Sequence, residues 1–98
     1  MAKGYWVVTY RKINNPDAFQ AYAKLAAPAI IAAGGKYLIR GTPAAVHEKG
    51  MKERVVVSEF PSVQAAIAAH DGPAYQAALK QLKPGDIDRD LRIVEGLE

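Results

Sequence analysis

The stretch that most restricts the fold is GYWVVTYRKI, residues 4–13, because it reads as a β-strand without a wet face. A strand lying between a core and solvent alternates apolar and polar side chains, whereas Tyr5, Trp6, Val7, Val8 and Tyr10 interrupt that alternation. RVVVSEF, residues 54–60, has the same continuous apolar character. Both strands therefore need cover on two faces. A chain of 98 residues makes one domain, residues 1–98, whose core is small enough that burial against another molecule helps it.

The remaining elements follow from caps, breakers and period. Asn15 is placed as an N-cap, with Pro16 at the first helical position and Asp17 in the first turn. Phe19, Tyr22, Ala23, Ala26 and Ile30 recur at helical spacing, Pro28 is expected to kink or tighten the second half, and Gly34-Gly35 supplies the stop. A short strand is predicted over Lys36–Arg40. A hairpin of two strand-like pieces around the Lys49-Gly50 turn is predicted within AVHEKGMKERVVVSEF. Ser62 caps a second helix with Val63, Ala66, Ile67 and His70 on one face, and Gly72-Pro73 restarts it with Tyr75, Ala78, Leu79 and Leu82 as the stripe. In the last strand Ile87, Arg89, Leu91 and Ile93 alternate with Asp88, Asp90, Arg92 and Val94.

The order β-α-β-β-α-β is the ferredoxin-like, split βαβ pattern: an α+β fold with a four-stranded antiparallel sheet and both helices on one face. The other face is then bare although its strands read as buried, and no element is left to cover it. A second copy of the chain is the economical cover, so a homodimer through the sheet faces is expected. Which parity of the first strand faces the partner stays open.

Composition narrows the function classes. Half of the residues are apolar and 23% are charged, the balance of an ordinary globular chain. The longest apolar run, LAAPAIIAAGG, is too short to span a bilayer, and MAKGYW lacks the apolar core of a signal peptide, so no membrane partner and a cytoplasmic location are expected. No cysteine is present, which removes disulfides, thiolate nucleophiles and thiolate metal sites. The net charge of +3 is spread along the chain among acids, as on a mixed solvated surface. His47 and His70 are far apart, so neither a metal site nor a cofactor is expected, and Gly34-Gly35 and Gly41 form no phosphate loop.

Several polar side chains fall at positions where chemistry is possible. Glu59 is in phase with Val55 and Val57; facing an interior it would have a raised pKa and suit a general base, whereas the plain alternative is an ion pair with Arg40, Arg54 or Arg89. Arg40 ends the second strand before a glycine, and Arg89 alternates with Leu91 and Ile93. Two arginines converging on one cavity favour an anionic substrate, and surface ion pairs are the bland reading of each. Tyr22 and Tyr75 lie on helix stripes, either lining a pocket or packed as core aromatics with bonded hydroxyls. His70 is a proton shuttle or a packed, hydrogen-bonded ring. Ser58 has no histidine at a recognisable triad position.

Over nearly its whole length the chain resembles the domain of unknown function 1330 family, through VVVSEFPS, the P.YQAAL segment and the ending RIVEG, in that order and at those separations. It departs from the family pattern at Arg40-Gly41-Thr42 and at Gly72-Pro73-Ala74-Tyr75-Gln76, and has His70 where an aromatic residue is frequent. The resemblance implies a dimeric α+β barrel, in which two ferredoxin-like subunits pair through their sheets, and it assigns no reaction. Two functions are weighed: a cofactor-independent enzyme acting on a small anionic or aromatic molecule, with Glu59 as proton acceptor, Arg40 as anchor and Tyr22 or His70 assisting; and a non-catalytic small-molecule-binding or stress-associated dimer. Nucleic acid is not an expected partner, because the third strand carries valines where an RNA-binding sheet of this topology stacks bases on aromatics.

Overall fold

The computed structural model describes residues 2–98. The elements are β1 (Gly4–Ile13), α1 (Pro16–Ala32), β2 (Lys36–Gly41), β3 (Val55–Phe60), α2 (Val63–Asp71), α3 (Pro73–Leu79) and β4 (Ile87–Glu95). They form one four-stranded sheet in the order β2-β3-β1-β4, with every neighbouring pair antiparallel. This is the α+β, ferredoxin-like arrangement predicted from the sequence. The second helical segment is two short helices, because Gly72 leaves the helical region with ψ at 159° before Pro73.

The helices close as their capping chemistry requires. The Asn15 side chain accepts from the Ala18 backbone N–H at 3.1 Å, and Ser62 Oγ accepts from Ala65 N–H at 3.0 Å. α1 runs through Pro28 and buries Phe19, Tyr22, Ala26 and Ile30. It is followed by Gly34 at φ +91°, a left-handed conformation that favours glycine. At the other end of the core, Gly4 lets β1 pass close to α2: a Cβ there would lie 2.5 Å from the Ser62 carbonyl oxygen. α2 buries Ala66 and Ala69, while Ile67 is 45% exposed, so its inner face is narrower than predicted and set by small residues that let the helix approach Trp6.

β1 divides its side chains cleanly. Trp6, Val8 and Tyr10 are buried beneath the helices, whereas Tyr5, Val7 and Thr9 occupy the opposite face. Register places Trp6 opposite Ser58 on β3 and Ile93 on β4, so the inner layer continues through Val56, Ser58 and Phe60 and through Leu91 and Ile93. Trp6 anchors this layer: its ring centroid lies 5.1 Å from Phe60 and 4.8 Å from Tyr75, and its indole Nε1 donates to the Ala66 carbonyl at 2.9 Å.

The open face is apolar over β2, β3 and β1, where Ile39, Val55, Val57 and Val7 share one parity, and charged over β4. On that edge Arg11 donates to both Asp88 and Asp90, at 3.0 and 2.9 Å. Ile39 and Val94 remain 52% and 47% exposed in the single chain, so the bare face expected from the sequence is present.

One predicted element is absent. Among the described residues, 42–54 contain no strand, and β2 and β3 pair directly across this connection without a tight hairpin at Lys49-Gly50. The segment reads TPAAVHEKGMKER, and its two large apolar side chains, Val46 and Met51, are both exposed, so it has no apolar side with which to join the sheet.

Candidate functional site: an arginine-lined cavity under the first helix

A cavity of about 60 Å³ lies between α1 and the inner face of the sheet. Its roof is small, because α1 presents Ala23, Ala26 and Ala27 between Tyr22 and Ile30. Its floor is Trp6, Val8 and Tyr10 from β1 with Val56 and Ser58 from β3, and Arg40, Arg54 and Arg89 enter from the sides.

Arg40 reaches this cavity through a local irregularity. Strict alternation along KYLIRG places Tyr37 and Arg40 on opposite faces, but β2 slips register between Tyr37 and Ile39, so Tyr37 pairs with Ser58 and Arg40 with Val56. Both side chains then lie on the inner face. The Arg40 guanidinium carbon stands 4.5 Å from the centroid of the Tyr37 ring. Arg54 precedes β3 in the same parity as Val56 and Ser58, and its guanidinium carbon lies 5.4 Å from the Phe19 centroid.

Arg89 is held by phenols instead of a carboxylate. One terminal nitrogen donates to the Tyr10 and Tyr22 hydroxyls at 3.0 and 3.1 Å, and the other to the Tyr75 hydroxyl at 3.0 Å. The Tyr22 and Tyr75 hydroxyls also bond each other at 2.7 Å. Burial acts to lower the Arg89 pKa, and the surrounding phenol oxygens, Tyr22 first, more than offset it, so the guanidinium stays charged. Burial pushes Tyr22 well above the usual phenol value, with the Tyr75 hydroxyl adding to the shift, and burial likewise raises Tyr10 and Tyr37. These phenols are neutral at physiological pH.

The hydrogen-bond balance of the cavity is one-sided. Each of the three phenol oxygens accepts from Arg89, and the Tyr22–Tyr75 bond uses a single hydroxyl proton. The Tyr10 proton and one proton of the Tyr22–Tyr75 pair therefore have no acceptor among the described residues. Arg54 Nε and Ser58 Oγ are buried with no partner, and no Asp or Glu lines the cavity. The cavity thus offers guanidinium and hydroxyl protons and has no acid among its lining residues.

The structure brings together three of the six side chains singled out in the sequence: Arg40, Arg89 and Tyr22 line the cavity. Tyr75 stands behind them, its ring in the core and its hydroxyl on Arg89. Glu59 lies on the opposite face of the sheet, in phase with Val55 and Val57 as read, but that phase points away from the helices. Its carboxylate accepts from Lys3 Nζ at 3.1 Å and from the Tyr5 hydroxyl at 3.0 Å. Those two bonds, Lys3 first, hold its pKa below the usual carboxylate range, which corrects the expected upward shift, and the ion-pair partner is Lys3, not Arg40, Arg54 or Arg89. His70 also stands outside the cavity. Its Nδ1 lies 3.0 Å from Asp71 Oδ1, and its ring packs against Trp6 and Tyr75 at centroid distances of 6.0 and 5.3 Å.

Arg54, Tyr10, Tyr37 and Ser58 were not among the predicted site residues. The parity shared by Arg54, Val56 and Ser58 is a usable signal for two of them; the bulge that turns Arg40 inward has none in the alternation. Among the described residues no cluster of three or more His, Asp or Glu could hold a metal ion, and no helix is long and apolar enough to cross a membrane.

Comparison with known proteins agrees with this fold. The sequence model of the family described as Domain of unknown function (DUF1330) matches residues 3–97. No curated protein matches the chain. Among solved structures, the fold is similar to a protein of unknown function from Rhodopseudomonas palustris, at a TM-score of 0.75 and 20% identity over 99% of this chain and 84% of that one. A dimeric ferredoxin-like protein of unknown function from Thermobifida fusca gives a TM-score of 0.65 and 20% identity, over 96% of this chain and 91% of its own. A provisionally assigned antibiotic biosynthesis monooxygenase from Caulobacter crescentus gives 0.62 and 14%, over 99% and 92%.

Proposed function

The chain belongs to the DUF1330 family, and we propose that it is a homodimeric protein that binds a small anionic molecule in the cavity under α1. The observation that carries this reading is the set of three arginines around one cavity whose lining contains no carboxylate. Arg40 is exposed, whereas Arg54 and Arg89 are partly buried with no counter-charge in the cavity, which is unfavourable, and a bound oxyanion relieves that cost through charge-assisted hydrogen bonds. In this reading Arg40, Arg54 and Arg89 supply the charge, Tyr10 and Tyr22 supply hydroxyl protons, and Tyr75 positions Arg89.

Binding is better supported than turnover. A cofactor-independent enzyme that abstracts a proton needs an acceptor beside its ligand, and Glu59 and His70, the two candidates, both stand outside the cavity of the chain. Calorimetric titration with small carboxylates, followed by analysis of the recovered ligand, tests both points. Saturable, salt-sensitive binding with the acid recovered unchanged is expected. Absence of binding by any small anion at low ionic strength refutes the anion pocket, and consumption of the ligand refutes the non-catalytic reading.

The homodimer rests on the open sheet face. Ile39, Val55, Val57 and Val7 present an apolar surface that a second sheet of the same kind covers, and the Thermobifida fusca relative is described as dimeric. Sedimentation of the protein across a range of concentrations is expected to show a dimer that Val57→Lys converts to monomer. A concentration-independent monomer for the unaltered chain overturns this part of the reading.

A further inference from the structure

Resting on the anion-binding reading, we infer that the ligand is a short hydroxy or oxo acid, with its carboxylate at the arginines and its second oxygen at Ser58. Three features of the cavity lead there.

Its polarity is divided between two ends. Arg54, which precedes β3, and Arg89, opposite Tyr10, mark one end, while Ser58 lies four residues further along the sheet direction, opposite Trp6 and Tyr37. Four residues of strand span about 13 Å between Cα atoms, and an arginine side chain covers part of that distance. Between the ends Val8 and Val56 lie below and the alanines of α1 above, and Arg40 enters from the side opposite Val56. A ligand lying along this axis has guanidinium groups at its near end and side, hydrocarbon above and below, and the Ser58 hydroxyl at its far end.

Ser58 itself needs a partner. The residue is 1% exposed, and its Oγ is buried with no hydrogen bond. Buried hydroxyls are almost always paired, so an oxygen on the ligand answers a demand that the protein leaves open. A serine hydroxyl donates and accepts, and therefore suits either an alcohol or a carbonyl.

Size favours the shortest acids. The cavity is about 60 Å³, whereas a cavity that takes benzene is about 150 Å³. Benzoate exceeds this space by more than an acid of three or four carbons does, and the shortest acids leave least of themselves outside Ala23, Ala26 and Ala27.

The test uses the full-length protein and isothermal titration with butyrate, 3-hydroxybutyrate, acetoacetate and benzoate, on the parent and on Ser58→Ala. At least one oxygenated acid is expected to bind the parent about five-fold more tightly than butyrate, the worth of one hydrogen bond of about 1 kcal/mol. Ser58→Ala is expected to erase that preference and to leave butyrate affinity unchanged, with benzoate the weakest of the panel. Unchanged butyrate binding also reports that the variant is folded; if it is not, Ser58→Cys keeps the volume while weakening the hydrogen bond and serves the same comparison. Equal binding of butyrate and every oxygenated acid, or a preference that survives both substitutions, means that water satisfies Ser58 and overturns this inference alone. Benzoate binding as tightly as the aliphatic acids overturns it through size. If no acid binds, the anion pocket fails, and this inference with it.

Discussion

Replacing Arg89 by methionine tests whether the phenol cluster is a structural support of the fold as well as part of a ligand site. Methionine keeps an unbranched apolar stem beside Tyr10 and Tyr22 and removes the three hydrogen bonds to Tyr10, Tyr22 and Tyr75, each of 3.0 or 3.1 Å. A hydrogen bond from a charged donor contributes roughly 1.5 kcal/mol at the low end of its range, so the gross loss is about 4–5 kcal/mol. Relief of the guanidinium's desolvation offsets this by an amount on the order of 2 kcal/mol. The Tyr22–Tyr75 bond remains to pair those two hydroxyls, and Tyr10 borders the cavity. A net destabilisation of about 2–3 kcal/mol remains, which for a domain of this size lowers the thermal midpoint by roughly 10–20 °C. The assay is thermal unfolding followed by near-ultraviolet circular dichroism, which reports the tyrosines directly. Parent and variant are compared at one protomer concentration, because the midpoint of a dimer depends on it. A midpoint within about 3 °C of the parent would refute the reasoning, since the three bonds would then contribute no more than the desolvation they relieve.

Arg54→Met is expected to behave oppositely: its Nε is buried without a partner, so stability holds or rises slightly, whereas affinity for small carboxylates falls about ten-fold, both readable by thermal melts with and without acetate. The phenol pKa values of Tyr10, Tyr22 and Tyr37 are raised by burial in the folded state, so their contribution is fully present below about pH 10 and is lost as pH rises beyond it. Absorbance at the tyrosinate band is expected to show these groups titrating together with alkaline unfolding; smooth titration of every tyrosine in the folded protein contradicts their burial. The Glu59 carboxyl is lowered by its bonds from Lys3 and Tyr5, and that of Asp90 by Arg11 and Thr9, so their contributions are present above the usual carboxylate pKa of about 4 and are lost as pH falls through the folded values. Glu59→Gln with Asp90→Asn is expected to flatten the acid limb of the stability profile, and an unchanged limb rules these two groups out as its source.

The bounds and inner face of the first helix are legible in the sequence because their signals are local. Asn15, Pro16, the spacing of Phe19, Tyr22, Ala26 and Ile30, and Gly34 each act within a few residues, and each takes the role its chemistry dictates. The segment before β3 carries a hairpin signal yet forms no strand, because a turn signal at Lys49-Gly50 says nothing of whether its flanks have a sheet to join. Glu59 shows the same limit at a single residue. Its phase with Val55 and Val57 was correct, but phase groups side chains on one face without saying which layer that face meets, so the pKa shift took the opposite sign.

The sequence by itself determined the order of elements, the antiparallel α+β class and the surplus of apolar surface on β1 and β3, because periodicity and capping are properties of neighbouring residues. Tertiary structure decided the rest. It chose Trp6, Val8 and Tyr10 for the helices, leaving Tyr5, Val7 and Thr9 for the open face. It also assembled the cavity, for Arg40 enters only through a register slip in β2, and Arg89 meets Tyr10, Tyr22 and Tyr75 from three separate elements. Such a site depends on distances between strands and helices remote in the chain, which no local pattern encodes.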